Sequence, residues 1–98
     1  MPPRRLQPNS AVKRLLDRRD KLETLFFDLL EVNKVRYAAW NEIEQDDEIT
    51  ERTRERRLAA IDNKIAVTED RMSVYKDEIE EINATLVERG YGVEPFDR

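Results

Sequence analysis

Apolar residues recur at alternating intervals of three and four positions through the second half of the chain. Such spacing over roughly four heptads is typical of a coiled-coil seam, because a helix on a globular core drifts to a period of about 3.6 residues. The pattern predicts one long helix over about residues 51–89. The positions of the series are Leu58, Ile61, Ile65, Thr68, Met72, Tyr75, Ile79, Ile82 and Leu86, of which only Thr68 is polar.

A less regular heptad pattern runs through the first half and predicts a helix over about residues 10–45, capped by Asn9 or Ser10. Asn33 and Arg36 interrupt its lower part. Polar residues in a seam can fix the register at a cost in stability, and the alternative for Arg36 is that its side chain extends to solvent. The seam residues are Val12, Leu15, Arg19, Leu22, Phe26, Leu29, Asn33, Arg36, Trp40 and Ile43.

The strong helix breakers all lie outside the two heptad patterns. The four prolines occupy positions 2, 3, 8 and 95, and the two glycines occupy positions 90 and 92. A turn is expected at about residues 46–50, with Asp47 or Thr50 capping the second helix. Gly90 is placed to be the left-handed residue that ends this helix, with Tyr91 packing back on Leu86.

Two helices of similar length joined by a short turn predict an all-α fold, an antiparallel hairpin with coiled-coil packing. Charge favours the same arrangement, since residues 1–21 carry a net +5 and residues 72–98 a net −4. The expected organisation is an extended N-terminal arm at 1–9, a helical hairpin at 10–89 and an extended C-terminal tail at 90–98.

The first helix carries more apolar surface than one neighbouring helix can cover. Leu16, Leu30 and Tyr37 lie beside its seam on one flank, and Phe27 points further away from the seam. A weaker stripe on the second helix includes Val67 and Val74. Apolar patches of this kind usually contact a partner. We therefore expect Phe27, Leu30 and Tyr37 to form a protein interface, and the alternative is that a tail folds back over the patch. The other flank holds Leu25, Val32 and Ala39, and the stripe begins at Ala60.

The C-terminal tail is short, aromatic and non-helical. Tyr91, Val93 and Phe96 are expected to fill pockets on a neighbouring protein, as extended peptide segments do. The first eight residues contain three prolines and are expected to be extended. Both tails are thus candidate contacts in an assembly.

The chain has little catalytic chemistry. It contains no Cys and no His, which excludes disulfides, the usual zinc, haem and copper sites, and Ser-His or Cys-His nucleophile pairs. Charged residues make up 41% of the sequence, so adjacent carboxylates are expected on a solvated helix face. We expect no catalytic residue, no cofactor and no metal site, and we expect that the protein is not an enzyme.

The N-terminal segment is basic, and a nucleic-acid contact through Arg4, Arg5, Arg14 and Arg18 is one interpretation. The net charge of the chain is −4, and the acidic end of the second helix is expected to lie alongside. Charge pairing within the hairpin is therefore the preferred explanation.

No apolar run approaches the roughly 18 residues of a membrane span, and no apolar stretch follows the basic N-terminus. The expectation is cytoplasmic synthesis without a signal peptide and no membrane partner.

The expected role is a structural or adaptor subunit of a larger protein assembly, either a homo-oligomer or a complex with other subunits. A virus particle is one assembly that suits a small, Cys-free, Arg-rich hairpin with extended arms, and another multi-subunit machine is equally suitable. The alternative is a nucleic-acid-associated helical protein, a packaging or regulatory subunit that uses the basic N-terminal segment.

Overall fold

A computed structural model of the protein describes residues 10–93, 95 and 96. It contains two α-helices, α1 (Ser10–Glu44) and α2 (Glu51–Glu88), and the described residues include no strand. The helices pack against each other as a rod of 76 × 17 × 16 Å. The predicted all-α hairpin is confirmed. The N-terminal arm at 1–9 lies outside the described residues.

Contacts between the helices show that they run antiparallel. Arg18, near the start of α1, pairs with Glu78 near the end of α2. Arg36, further along α1, reaches back to Lys64. At the closed end the side chain of Arg54 donates to the Ile43 carbonyl, at 3.4 Å. Positions that rise along α1 therefore meet positions that fall along α2.

The turn between the helices is held by local hydrogen bonds. Thr50 is the N-cap of α2, with extended backbone, and its hydroxyl accepts a hydrogen bond from the Thr53 N–H at 3.2 Å. Before it, Asp46 Oδ1 accepts from the Glu48 N–H at 2.9 Å. A capping hydroxyl satisfies one of the free N–H groups at a helix start. Of the two predicted caps, Thr50 has this role.

Arg54 closes the turn from the other side. Its guanidinium donates to the carbonyls of Ile43 and Asp46 and forms an ion pair with Glu51 on its own helix. The last carbonyls of α1 lack partners within the helix and carry partial negative charge, which suits a cation. Arg54 thus joins the start of α2 to the carbonyl end of α1.

The end of α2 has the predicted glycine ending. Gly90 has a φ of 86°, and its N–H donates to the Val87 carbonyl at 3.0 Å. The Tyr91 N–H donates to the Leu86 carbonyl at 3.0 Å. These two bonds define a Schellman motif. The motif turns the chain sharply, so that Tyr91 packs against the core at the open end of the hairpin.

The core lies between the helices and is best developed at the open end. Leu22, Ile79 and Leu86 have no exposed surface, and Val12 and Ile82 complete this cluster. Nearer the closed end the buried seam includes Phe26, Ile65 and Met72. Six partly buried side chains pack around the open-end cluster: Leu15, Leu16, Tyr75, Tyr91, Val93 and Phe96.

Candidate protein-binding surfaces

The hairpin has two broad sides, which cross-helix contacts distinguish. On one side the Arg18 guanidinium lies 3.1 Å from a Glu78 carboxylate oxygen. On the other side the Tyr37 hydroxyl donates to Glu69 Oε1 at 2.6 Å. Because residues seven apart share a helix face, these two contacts assign the remaining flanking positions to one side or the other.

The side that carries the Tyr37–Glu69 bond also carries the C-terminal tail, and we name it the tail face. The Phe96 ring packs edge-on against Phe26, with centroids 5.0 Å apart, and against Phe27 at 5.9 Å. A groove of about 420 Å³ lies between the tail and α2. Its lining is mainly apolar: Glu80, Asn83, Ala84, Val87, Val93, Pro95 and Phe96.

Three of the six predicted interface residues therefore contact the chain's own hairpin. Tyr91, Val93 and Phe96 pack beside the core cluster at the open end. The aromatic tail finds its apolar surface on α1 and α2, as the alternative of a folded-back tail supposed. Whether these residues also touch a neighbour remains a prediction.

The other three predicted interface residues continue along the tail face beyond Phe96. Phe27 remains 41% exposed beside the tail, and Tyr37 is 48% exposed. Leu30, between them, is half-buried. The structure thus places the three residues along one flank of α1. That flank is apolar surface next to the point where the tail ends.

Tyr37 contributes a polar contact as well as apolar surface. The hydrogen bond from its hydroxyl to Glu69, together with slight desolvation and the negative charges of Glu69 and Asp62, raises the pKa of Tyr37 above its ordinary value. The bond requires the neutral phenol, since a tyrosinate has no proton to donate. The contact therefore joins the two helices only while Tyr37 is protonated.

The opposite side carries the Arg18–Glu78 pair, and we name it the valine face. Here Val32 of α1 is 42% exposed, and Val67 and Val74 of α2 are 63% and 57% exposed. Leu25 and Val35 add exposed apolar surface on α1. A groove of about 410 Å³ between the helices opens on this side and is lined by Leu29, Arg36, Asn63, Lys64, Val67, Thr68 and Arg71.

A polar layer crosses the middle of the seam. Arg36 Nη1 donates to Asn33 Oδ1 at 3.1 Å, to the Lys64 carbonyl at 3.1 Å and to the Thr68 hydroxyl. Asn33 and Thr68 are buried, whereas Arg36 is half-buried. The head of Arg36 is thus held across the helix interface, and the layer accounts for the polar residues that interrupt both heptad patterns.

A second polar contact lies nearer the open end. Arg19 Nη1 donates to Asn83 Oδ1 at 3.2 Å, and Arg19 Nε lies 4.0 Å from a Glu23 carboxylate oxygen. Sequence reasoning did not identify the partners of the seam arginines. Asn83 lies directly after the seam residue Ile82, at the edge of the seam. A polar residue at this position is the one sequence signal that could have indicated a partner for Arg19.

The predicted nucleic-acid residues are divided by the structure. Arg4 and Arg5 lie outside the described residues. Arg18 pairs with Glu78, which is the charge pairing expected within the hairpin, and Arg14 is exposed. Both are exposed, and among the described residues Arg14 is the one of the two that has no carboxylate oxygen within 4.0 Å.

The described part of the chain holds no group of three or more Asp or Glu side chains that could bind a metal ion. Over the same residues, neither helix is apolar enough along its length to cross a membrane.

Comparison with known proteins yields no family model, no curated protein and no solved structure that matches the chain.

Proposed function

We propose that the protein is a non-enzymatic structural or adaptor subunit of a larger assembly and that it binds other protein through the flanks of its hairpin. The observation that carries the proposal is the amount of apolar side chain left exposed on both sides of a chain that is 41% charged. Contiguous apolar surface on a soluble helix usually meets a partner. The exposed large apolar residues are Leu25, Phe27, Val32, Val35, Tyr37, Val67, Val74 and Val87.

On the tail face the contact would be formed by Phe27, Leu30 and Tyr37. The tail covers part of this flank through Phe96, and the three residues extend the apolar surface beyond it. Aromatic side chains are enriched at the centres of protein interfaces, which favours this patch as an anchor. Incorporation into a virus particle or another multi-subunit machine is the form of assembly that we propose for this surface.

The test is the mass of the full chain, measured by light scattering over a range of concentrations, with helicity followed by circular dichroism. The first variant, Phe27→Asp with Leu30→Glu, should stay helical and lose the larger assembly. Because Phe27 also contacts Phe96, a second variant avoids the tail. In Leu30→Glu with Tyr37→Lys, the new lysine can pair with Glu69 and keep the helices joined.

The matched control places two carboxylates on the outer side of α1, through Thr24→Glu with Ala38→Glu. Both positions are exposed and lie away from the two flanks, so assembly should be unchanged. A wild-type chain that stays monomeric at every concentration and binds duplex DNA with steep salt dependence would overturn the proposal in favour of the nucleic-acid alternative. Assembly that persists in both flank variants would also overturn it for the tail face.

A further inference from the structure

We propose that two copies of the chain pair through their valine faces, with α1 of each copy lying antiparallel along α2 of the other, to form a four-helix bundle. The inference rests on the proposed role as a protein-binding subunit and names one partner, a second copy of the chain. It concerns the side of the hairpin opposite the C-terminal tail.

Both helices carry a second heptad stripe on this face, beside the seam that joins them. Steps of three and four residues recur along each stripe, as in a coiled-coil seam. In α1 the stripe is Arg18, Lys21, Leu25, Asp28, Val32, Val35, Ala39 and Glu42. In α2 it is Arg57, Ala60, Lys64, Val67, Arg71, Val74, Glu78 and Glu81. Among the described residues, one ion pair joins the two stripes within the hairpin, between Arg18 and Glu78.

The register of the hairpin fixes which levels of the two stripes coincide. Arg36 contacts Lys64 and Thr68, so position 36 of α1 lies level with positions 64 to 68 of α2. The rise per residue is equal in both helices, so Asp28 lies level with positions 72 to 76, within a turn of Arg71. Rotation about a two-fold axis parallel to the helices leaves heights along the helices unchanged. The α1 of a second copy that lies over α2 therefore meets it at the same levels.

At these levels the two stripes are complementary. Acids of one meet cations of the other, and apolar residues meet apolar residues. Val35 against Lys64 is the exception, and a lysine stem can lie along a valine while its head reaches water. In order along α1, the matches are Arg18 with Glu81, Lys21 with Glu78, Leu25 with Val74, Asp28 with Arg71, Val32 with Val67, Ala39 with Ala60, and Glu42 with Arg57.

Apart from the Arg18–Glu78 pair, the central charges of this face have no ion partner among the described residues of the hairpin. Within residues 10–93, 95 and 96, no carboxylate oxygen lies within 4.0 Å of Lys64 or Arg71, and no cation lies that close to Asp28. The groove of about 410 Å³ between Leu29 and Val67 lies at the same levels and can receive the Val32 side chain of a second copy. Charge complementarity and the groove thus indicate the same occupant.

The other two-fold arrangement lays α1 on a second α1 and α2 on a second α2. When Val67 meets Val74 in that arrangement, Arg71 meets its own copy, which is unfavourable for two like charges. Asp28 then faces Val32 and has no cation. Charge therefore selects the arrangement in which α1 lies on α2.

The decisive experiment is a charge exchange between Asp28 and Arg71, both exposed in the hairpin. Sedimentation equilibrium on the full chain should show a dimer, and Asp28→Lys or Arg71→Glu alone should raise its dissociation constant at least about tenfold. The double variant, Asp28→Lys with Arg71→Glu, should restore dimerisation, because each new lysine meets a new glutamate on the other copy. The α2-on-α2 arrangement predicts no such rescue.

A second pair of variants tests the apolar contact. Val67→Glu should abolish the dimer and leave helicity intact, whereas Val87→Glu, at a valine of similar exposure on the tail side, should leave the dimer unchanged. A wild-type monomer, or a dimer insensitive to Val67→Glu, overturns the inference. A wild-type chain that forms the dimer and nothing larger supports the inference and counts against the tail-face assembly. A larger wild-type assembly that Leu30→Glu with Tyr37→Lys reduces to the dimer supports both, so the two failures are distinguishable.

Discussion

The ring of Phe96 stands edge-on to the ring of Phe26, with centroids 5.0 Å apart and planes at 90°. This contact joins the end of the C-terminal tail to the buried seam of α1. The Schellman turn at Gly90 reverses the chain so that this contact can form. The tail is therefore a third layer of the hairpin on one side, and among the described residues no tail segment lies on the other side.

Removing the tail contact should weaken the open end. Phe96→Ala should lower the free energy of unfolding by about 1–3 kcal/mol, because it returns a partly buried ring to water and loses the edge-to-face contacts. Urea denaturation of the variant would measure the loss. Pro95→Ala, at the exposed neighbouring position, is the control and should change the midpoint little. A midpoint unaffected by Phe96→Ala would show that the tail does not contribute to stability.

Substitutions to Ala along α2 should cost much more free energy of unfolding at buried seam positions than at exposed positions. Ile79→Ala should cost about 2–5 kcal/mol, because the side chain is fully buried and the seam cannot close over the cavity. Ile65→Ala should cost an amount in the same range. Val67→Ala should cost far less at the lowest protein concentration, since the residue is 63% exposed in one hairpin. Thermal melts that leave the Ile79→Ala midpoint unchanged would contradict the heptad assignment.

Pairing through the valine face adds a condition to that comparison. The cost of Val67→Ala should grow as the protein concentration rises, because dimerisation stabilises the folded chain by mass action. The cost of Ile79→Ala should depend far less on concentration.

The polar layer should behave as a unit. Arg36→Leu alone should cost about 1–3 kcal/mol, because it leaves the buried oxygens of Asn33 and Thr68 without their donor. Combining Arg36→Leu with Asn33→Leu and Thr68→Val should recover most of this loss or exceed the wild-type stability, as replacement of buried polar clusters can do. Chemical denaturation of the single and triple variants tests this non-additivity, and equal, additive losses would contradict it.

Alkaline pH should loosen the tail face through Tyr37. The folded-state pKa of Tyr37 is raised, chiefly by its hydrogen bond to Glu69, so the stability from this contact is fully present below the unfolded pKa of about 10. That stability is lost as pH rises through the higher folded value. The difference in thermal midpoint between the wild type and Tyr37→Phe should therefore shrink at high pH. A difference that stays constant across this range would show that the hydrogen bond does not contribute.

The helices and their ends follow from local sequence. The three-four spacing from Leu58 to Leu86 determines which stripe of α2 is buried, because side chains at those intervals lie on one face. Thr50 begins α2 and Gly90 ends it, each through hydrogen bonds to residues within a few positions. The opposite net charges of residues 1–21 and 72–98, together with the short turn, were enough to predict an antiparallel pair of helices.

The candidate surfaces depended on tertiary contacts between residues far apart in the chain, such as Arg18 with Glu78, 60 positions away, and Tyr37 with Glu69, 32 positions away. In the sequence, Phe27 and Val67 are both apolar positions beside a seam, and nothing local distinguishes their surroundings. Only the folded chain shows that Phe96 lies against Phe27, whereas Val67 and Val74 on the valine face are more than half exposed.

The sequence by itself therefore determined the two helices, their ends, their buried stripes and their antiparallel order. Caps and residue spacing depend only on nearby positions, and the antiparallel order follows from the net charge of whole segments, which does not depend on exact contacts. The tertiary structure alone decided that the tail lies on the Tyr37 side and that Arg36 bridges Asn33 to Thr68. The physical reason is that both outcomes depend on the axial register of two helices and on the direction in which the chain leaves α2. A small change in either would bring different side chains within reach of Phe96 and Arg36, whereas the apolar pattern of each helix would be unchanged.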